Sequence, residues 1–448
     1  MKKILLIAYH YHPDLQVGAQ RTIKYVKYLP EFGWQPHVLS VDPEHYPQRD
    51  EAPLGFECPV YRTCQWPVPD DMYRSLKHRF FPSGPRPIEF LSSSPTREGG
   101  QSDFIKPVPW LKKFLNSLSG TPDGQSGWFV PAVYAAWRLI RRNKYDVIYS
   151  SGPPQTCHMV GYAARRLTGV PWVADFRDPW LHPKQRDRHV LRLSKRFDER
   201  YEAKTARYAS LMITTTDEWR DHLKQLYHPL LEDKCHTIVN GFDEDDFDVT
   251  ANRSASGTAG TITFLYAGNL YAGRDPSAML NAAGELISEG CLKSGEVAFK
   301  FYGNYDIDLN RIEGIISEHG MHSAVEFHAP VVREQYLKLL RDAHVLILIQ
   351  AASGKVHIPA KAFEYLGTGN AILTLTTEGA TRNFMSGFDH VAIADLQDKN
   401  EIKSAIKRLV GQLRSHTARA QEKPQLEAIT KRRLTEKFAR LLDKISGG

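Results

Sequence analysis

The sequence predicts an α/β protein built from two doubly wound, Rossmann-like domains with parallel sheets. Three observations predict it. At 448 residues the chain is too long for one ordinary hydrophobic core. Short apolar, β-branched runs alternate with longer amphipathic stretches, a rhythm that places helices on both faces of a parallel sheet. That rhythm occurs twice, around a small, polar, Gly/Ser-rich stretch, VTANRSASGTAG (249–260), with the composition of a linker. The expected organisation is a first domain over 1–248, a linker over 249–260, a second domain over 261–425, and a helix over 426–448 crossing back to the first domain. The halves repeat an architecture rather than residues.

The first series opens with KILLIAY (3–9). The leading MKK has the basic character of a signal peptide, but the apolar run is short and no small-residue cleavage site follows, so a buried first strand is expected. Residues 19–33 predict a helix, with Ile23, Val26, Tyr28 and Leu29 as its apolar face and Gly33 as its stop. QPHVLSV (35–41), YDVIYSS (145–151), VPWVADF (170–176) and LMITTT (211–216) continue as strands. Between them, residues 67–127 are rich in Pro, Gly and Ser and lack periodicity, which predicts a long irregular insertion. Within it, FIKPVPWLKKFLNSL (104–118) reads either as a helix packed on its domain or as a segment touching anionic lipid.

The second series begins with TITFLYAG (261–268) and a helix from Pro276 to Glu289. VAFKFYG (297–303), AVEFHAP (324–330), HVLILIQ (344–350) and NAILTLT (370–376) follow as strands.

Composition narrows the class. The chain is 42% hydrophobic and 24% charged, ordinary for a globular protein. No apolar run reaches the roughly 18 residues that span a bilayer. The net charge, 58 − 51 = +7, suits anionic substrates or an anionic membrane surface. No aromatic RNA motif, zinc-finger spacing or basic block accompanies it, so nucleic acid is not an expected partner. Five scattered cysteines without a CxxC pair fit a reducing cytoplasm and indicate neither zinc nor a disulfide framework.

Four segments carry candidate chemistry. HPDLQVGAQR (12–21) lacks the GxGxxG fingerprint, which removes the usual support for a hydride-transfer enzyme. Gly18 there lets backbone pass under a ligand before a helix whose first amides attract phosphate or a sugar hydroxyl. DFRDPW (175–180) crowds Asp175, Arg177 and Asp178 at the carboxyl end of a strand, where ligands collect in open α/β sheets. A structural ion-pair cluster explains the same crowding.

YAGNLYAGRDP (266–276) is strand, loop and helix start, with Gly268 and Gly273 allowing tight turns. Arg274 just before the helix suits a diphosphate, because guanidinium and amides can donate to the same oxygens. GKVHIPAKAFEYLGTGNAIL (354–373) carries Lys361 and Glu364 on a short helix. Glu364 is placed to accept ribose hydroxyls. Lys361 shares its helical face, and an exposed Lys–Glu pair is the plainer alternative. The acidic run DEDD (243–246) and the unpaired histidine pattern predict no metal site.

Taken together these segments resemble the retaining family 4 glycosyltransferases of the GT-B fold, in which two Rossmann-like, doubly wound domains face each other across a cleft. KYLPEFGWQPHVLS (27–40), TPDGQSGWFVPAV (121–133), YDVIYSSGPPQTCHMVGYAARRLTGVPW (145–172) and IVNGFDEDDF (238–247) extend the resemblance over nearly the whole chain. The match at 121–133 places the insertion at about 67–120.

The resemblance implies a nucleotide-diphosphate sugar as donor and co-substrate, with no cofactor and no metal, held mainly by the C-terminal domain. It implies that Arg274 holds the diphosphate and Glu364 the ribose. Gly268, Asn269 and Lys361 lie close to the nucleotide, Val331 and Val332 flank the base, and Gly18 faces the phosphate and sugar from the N-terminal domain. Arg177 and Asp178 fall where the family often has a His-Asp pair near the reacting sugar. Two positions depart from the family pattern: Val356 replaces the first of its paired glutamates, and Asn269 stands where many members have a second phosphate-binding Arg. DFRDPW and Lys-x-x-Glu mark a subgroup.

The expected activity is therefore transfer of a sugar from a nucleotide donor to a glycan or lipid-linked acceptor, with retention, in surface-polysaccharide or glycoconjugate assembly. The expected place is the cytoplasm, with peripheral attachment to the inner face of the membrane. A degenerate, non-catalytic nucleotide-sugar binder and a sugar-nucleotide epimerase on the same fold are the alternative readings.

Overall fold

The structure, a computed structural model, describes residues 1–68, 120–181, 192–247, 260–271, 273–293, 295–350, 354–415 and 423–447. The chain divides into two compact units, Met1–Val239 with Leu434–Gly448, and Asn240–Arg433. The 104–118 segment and nearly all of the 67–120 insertion and the 249–260 linker lie outside the described residues.

The first unit is a seven-stranded sheet of β1 (Lys2–Ile7), β2 (Trp34–Val41), β3 (Val60–Thr63), β4 (Val147–Gly152), β5 (Trp172–Phe176), β6 (Leu211–Thr214) and β7 (Cys235–Thr237). Its order is β3-β2-β1-β4-β5-β6-β7, and every pairing is parallel. The order reverses between β1 and β4, the switch point at which doubly wound sheets take ligands. All residues of β4, β5 and β6 are buried. A parallel strand covered by helices on both faces is mostly apolar, which is why these runs stand out in the sequence even though Ser150, Ser151 and Asp175 are buried within them. The short strands β3 and β7 have no such run and were not foreseen.

The helices of this unit are α1 (Val17–Tyr28), α2 (Phe129–Asn143), α3 (Thr156–Thr168), α4 (Arg192–Tyr208) and α5 (Asp217–Leu226). The helix expected over 19–33 is α1 followed by a 3₁₀ turn at Leu29–Phe32. Pro30 has no N–H and cannot continue an α-helical ladder. Gly33, at φ 81°, ends the turn in the left-handed region that favours glycine.

The second unit repeats the plan. Its elements are β8 (Ile262–Ala267), β9 (Leu270–Tyr271), α6 (Ser277–Ser288), β10 (Val297–Tyr302), β11 (Tyr305–Asp306), α7 (Leu309–Glu318), β12 (Val325–His328), α8 (Arg333–Asp342), β13 (Val345–Ile349), α9 (Ala360–Thr368), β14 (Ala371–Leu375), α10 (Ala380–Met385), β15 (Val391–Ala394), α11 (Lys399–Arg414) and α12 (Lys423–Ala428). The main sheet runs β12-β10-β8-β13-β14-β15, again parallel, with its switch point between β8 and β13. Both sheets therefore share the 3-2-1-4-5-6 strand order of the Rossmann fold.

The core of the second unit centres on aromatic side chains from β8 and β10. Phe264 and Phe299 stack at 4.9 Å between ring centroids, and Phe301 stacks on Phe327 at 4.8 Å. Each fully buried Phe contributes about 1.5–3 kcal/mol relative to exposure. The last helix, α13 (Lys431–Ser446), carries Phe438 into the core of the first unit. There Phe438 meets Tyr25 at 4.5 Å and Tyr149 at 5.6 Å.

Candidate active site

In the second unit the loops after β8 and β10 build one edge of the site. Each strand ends in a Gly-Asn pair, Gly268-Asn269 and Gly303-Asn304, with the glycines at φ 153° and 154°. A Cβ on Gly303 would run into the Gly268 carbonyl, so the two turns pack back to back only as glycines. The Asn304 amide N–H and side-chain amide both donate to Asn269 Oδ1 at 3.3 Å, and β9 then pairs with β11. Asn269 is thus a loop staple, with its side-chain oxygen turned to Asn304.

This zipped loop leads to Arg274. Its guanidinium lies 5.1 Å from the Tyr271 ring centroid, and its Nε is buried without a partner. At the start of α6, Asp275 accepts from the Ser277 amide at 2.8 Å and from its hydroxyl at 2.5 Å.

Lys361, on α9 across the switch point, reaches back to Gly268. A Cβ on Gly268 would coincide with the Lys361 ammonium. The same ammonium lies 5.3 Å from the Tyr266 ring centroid. Burial, then the nearby Arg274 charge, lowers the Lys361 pKa to about 8, against a smaller upward pull from Glu364. Among the described residues neither Lys361 nor Arg274 forms an ion pair. Both cations thus lie against aromatic faces, and their charges suit an anionic ligand.

Glu364 does not form an ion pair with Lys361. Its Oε1 accepts from Arg333 at 2.6 Å and its Oε2 from Tyr336 at 2.6 Å. Arg333 also donates to Asp246 at 3.0 Å. Burial alone would lower the Arg333 pKa, but the Glu364 charge and then Asp246 raise it. Each carboxylate oxygen keeps further lone-pair directions, so the clamp fixes the Glu364 rotamer while leaving acceptor capacity. Arg333 and Tyr336 are the site residues that sequence reasoning missed. Asp246, from the acidic DEDD run, is thereby an ion-pair partner. Among the described residues no group of His, Cys, Asp and Glu has the arrangement of a metal site.

Val332 is the residue before α8 and is 72% exposed; Val331 beside it is half-buried. Helix α9 packs through Gly367, where a Cβ would lie 2.6 Å from the Phe242 ring. That contact seats the NGFDEDDF segment under the helix that carries Lys361 and Glu364.

In the first unit the DFRDPW charges separate. Asp175 is fully buried on β5, where Arg21 Nε donates to it at 2.6 Å and Tyr149 Oη at 2.6 Å. Arg21 also donates to the Ile238 and Val239 carbonyls. Burial opposes the Arg21 charge, and Asp175 more than restores it. This is a structural ion pair.

Arg177 turns the other way. A Cβ on Gly18 would collide with its guanidinium, which also donates to the Pro153 carbonyl. The space that a side chain on Gly18 would fill is therefore taken by the Arg177 guanidinium. A guanidinium beside the first turn of α1 adds positive charge to positive helix-end potential. Its Nε is buried without a partner. Both features favour an anion there. Burial and Arg177 lower the pKa of the neighbouring His158 to about 3, so His158 stays neutral against Phe176. Asp178 is exposed. A further pair lies in the loop after β1: His10 Nδ1 and Asp14 Oδ2 are 2.6 Å apart, with Asp14 buried.

Comparison with known proteins agrees with this architecture. The profile of Glycosyltransferase Family 4 matches residues 111–246. No curated protein sequence matches the chain. Sucrose-phosphate synthase from Thermosynechococcus elongatus is similar in structure with a TM-score of 0.62 at 14% identity, covering 100% of both chains. HepE from Anabaena, solved in complex with UDP and glucose, gives 0.57 at 14% identity, covering 99% of this chain and 100% of that one. UDP-GlcNAc 2-epimerase from Methanocaldococcus jannaschii gives 0.50 at 10% identity, covering 99% and 100%. The fold is thus GT-B, the two-unit α/β fold of glycosyltransferases.

Proposed function

We propose that the protein is a glycosyltransferase that moves a sugar from a nucleotide-diphosphate donor to a glycan or lipid-linked acceptor, with retention and without a metal ion. The observation that carries this reading is the pair of unneutralised cations, Arg274 and Lys361, at the switch point of the second sheet. A diphosphate supplies the missing negative charge. Glu364, oriented by Arg333 and Tyr336, receives the ribose hydroxyls, and Val331 and Val332 flank the base. HepE was solved with UDP and glucose, which supports a nucleotide donor on this fold.

In the reaction the bond between the sugar C1 and the diphosphate oxygen breaks. Negative charge grows on the leaving diphosphate, where Arg274 and Lys361 stabilise it. Removing one such contact costs about 10²–10³ in rate. The acceptor oxygen bonds to C1 on the face that the diphosphate leaves, and its proton passes to a leaving-phosphate oxygen. Arg177, with its orphaned Nε beside Gly18, and the exposed Asp178 are assigned to the reacting sugar and its acceptor. The acceptor is a glycan or lipid-linked glycan at the inner, anionic face of a membrane, as in surface-polysaccharide or glycoconjugate assembly.

A second reading, a nucleotide-sugar binder without turnover, draws on Val356, which stands where the family resemblance implies a carboxylate. Incubation with UDP-, GDP-, ADP- and dTDP-sugars and a panel of lipid-linked acceptors, in the presence of EDTA, separates the two. The proposal expects one donor to be consumed and a product whose anomeric proton coupling matches that of the donor. Binding with no turnover on any acceptor supports the second reading, and inverted product removes the retaining half of the first.

A further inference from the structure

We propose that α2 of the first unit is a membrane-docking helix that lies along an anionic lipid surface. This rests on the reading above that the acceptor is held at a membrane, and its test reads lipid binding alone, so it can fail while the donor site stands.

The helix reads FVPAVYAAWRLIRRN and contains no Asp or Glu. Its inner side, Ala132, Ala136 and Ile140, is buried, and the helix packs on α3, β2 and β3. Its outer side carries Val130, Tyr134 and Trp137, which are 48%, 59% and 36% exposed. Spacings of four, three and four residues place 130, 134, 137 and 141 on one stripe. The Tyr134 and Trp137 rings are 6.1 Å apart, and the Arg141 guanidinium lies 5.8 Å from the Trp137 ring centroid. Arg138 and Arg142 are exposed beside the stripe. Among the described residues none of these three arginines forms an ion pair.

Most exposed helix faces mix charges of both signs and keep large apolar groups inward. This one joins aromatic and aliphatic side chains to cations alone. Tyr and Trp suit the headgroup level of a bilayer, and arginine suits its anionic phosphates. At about 1.5 Å per residue the helix is about 22 Å long, enough to lie along a surface. Among the described residues no helix is long and apolar enough to cross a membrane. On α3, which packs on α2, Arg166 is exposed near the helix end, and with half-buried Arg165 and exposed Arg207 of α4 it lines a shallow depression beside Tyr208.

Co-sedimentation of the full-length protein with vesicles, at low salt, tests the proposal. Phosphatidylcholine vesicles are compared with vesicles that also contain phosphatidylglycerol. The wild type is expected to bind the anionic vesicles and to release them as salt rises. Replacing Arg138, Arg141 and Arg142 together by Gln should weaken binding on the order of a hundredfold, since each basic residue near such a surface contributes roughly fivefold. Tyr134→Ser with Trp137→Ser should weaken it at unchanged salt dependence. Both variants should keep the wild-type melting temperature and donor-induced shift. Equal binding to both vesicle types, no binding to either, or triple-variant binding equal to wild type would overturn the assignment.

Discussion

Lys361 occupies the space that a side chain on Gly268 would fill. Its ammonium lies where that Cβ would be, 5.3 Å from the Tyr266 ring centroid. The glycine is needed twice, for this approach and for its φ of 153°. Gly268→Ala should displace Lys361, destabilise the fold by about 1–3 kcal/mol, and weaken nucleotide-sugar binding at least about tenfold. Melting curves and calorimetric titration measure both. Unchanged affinity would mean that the ammonium's position is irrelevant to the ligand.

Lys361 also sets a pH dependence. Its folded pKa of about 8 lies below its ordinary value of 10.5. Between those values the unfolded chain binds more protons, so stability rises with pH across that window, and the full penalty is present below pH 8. At about 1.4 kcal/mol per pKa unit the penalty is at most about 3 kcal/mol, less what solvent screens. Lys361→Met should therefore melt higher than the wild type at pH 7, with the gap closing as pH approaches 10. Donor affinity should do the reverse: it is lost in the variant, and in the wild type it falls above pH 8 as the cation deprotonates. Parallel melts and titrations across pH 7–10 decide it, and a Lys361→Met variant that binds donor normally would remove Lys361 from the site.

The clamp on Glu364 predicts a graded series. Tyr336→Phe removes one hydrogen bond to a charged group, an effect of about 1.5–3 kcal/mol. It should raise the KM for donor several-fold or more while leaving kcat within about threefold. Arg333→Gln should act in the same direction. Glu364→Ala should abolish donor binding. Steady-state kinetics on purified variants measure the split, and a fall in kcat with unchanged KM would contradict a positioning role.

In the first unit Asp175 and Asp178 differ in burial and should differ in effect, although they stand three residues apart. Asp175→Ala leaves the buried Arg21 unpaired and should cost about 3–5 kcal/mol of stability. Asp178→Asn, at an exposed position, should cost less stability than Asp175→Ala and lose transfer rate. Denaturant titration and turnover assays separate these outcomes. An Asp178→Asn variant with full activity would take that residue out of the reaction.

The contrast between the two aspartates shows what was legible in the sequence. Strands such as β4, β5 and β13 were visible because burial on both faces makes most of their residues apolar. The edge strands β3, β7 and β15 are too short for that signal. Arg274, Lys361 and Glu364 were singled out because strand-loop-helix motifs mark the ends of sheets where ligands collect. Arg333 and Tyr336 were not, because α8 reads REQYLKLLRD, like any charged surface helix, and their partner is 31 and 28 positions away. The same distance problem hid Arg21, which meets Asp175 across 154 positions, and the approach of Arg177 to Gly18. Local pattern identifies where a loop ends, and tertiary pairing decides which of its charges is already neutralised.

The most direct test of the central claim is a thermal-shift panel of UDP-, GDP-, ADP- and dTDP-sugars, each with and without Mg²⁺, with Glu364→Ala as control. A donor at 100 times its dissociation constant should add about 2.7 kcal/mol of stability. A clear shift is expected for one base, independent of Mg²⁺ and absent in Glu364→Ala. A shift of equal size in the variant would contradict the assignment of the second-unit site, and no shift with any nucleotide sugar would contradict the donor-binding claim itself.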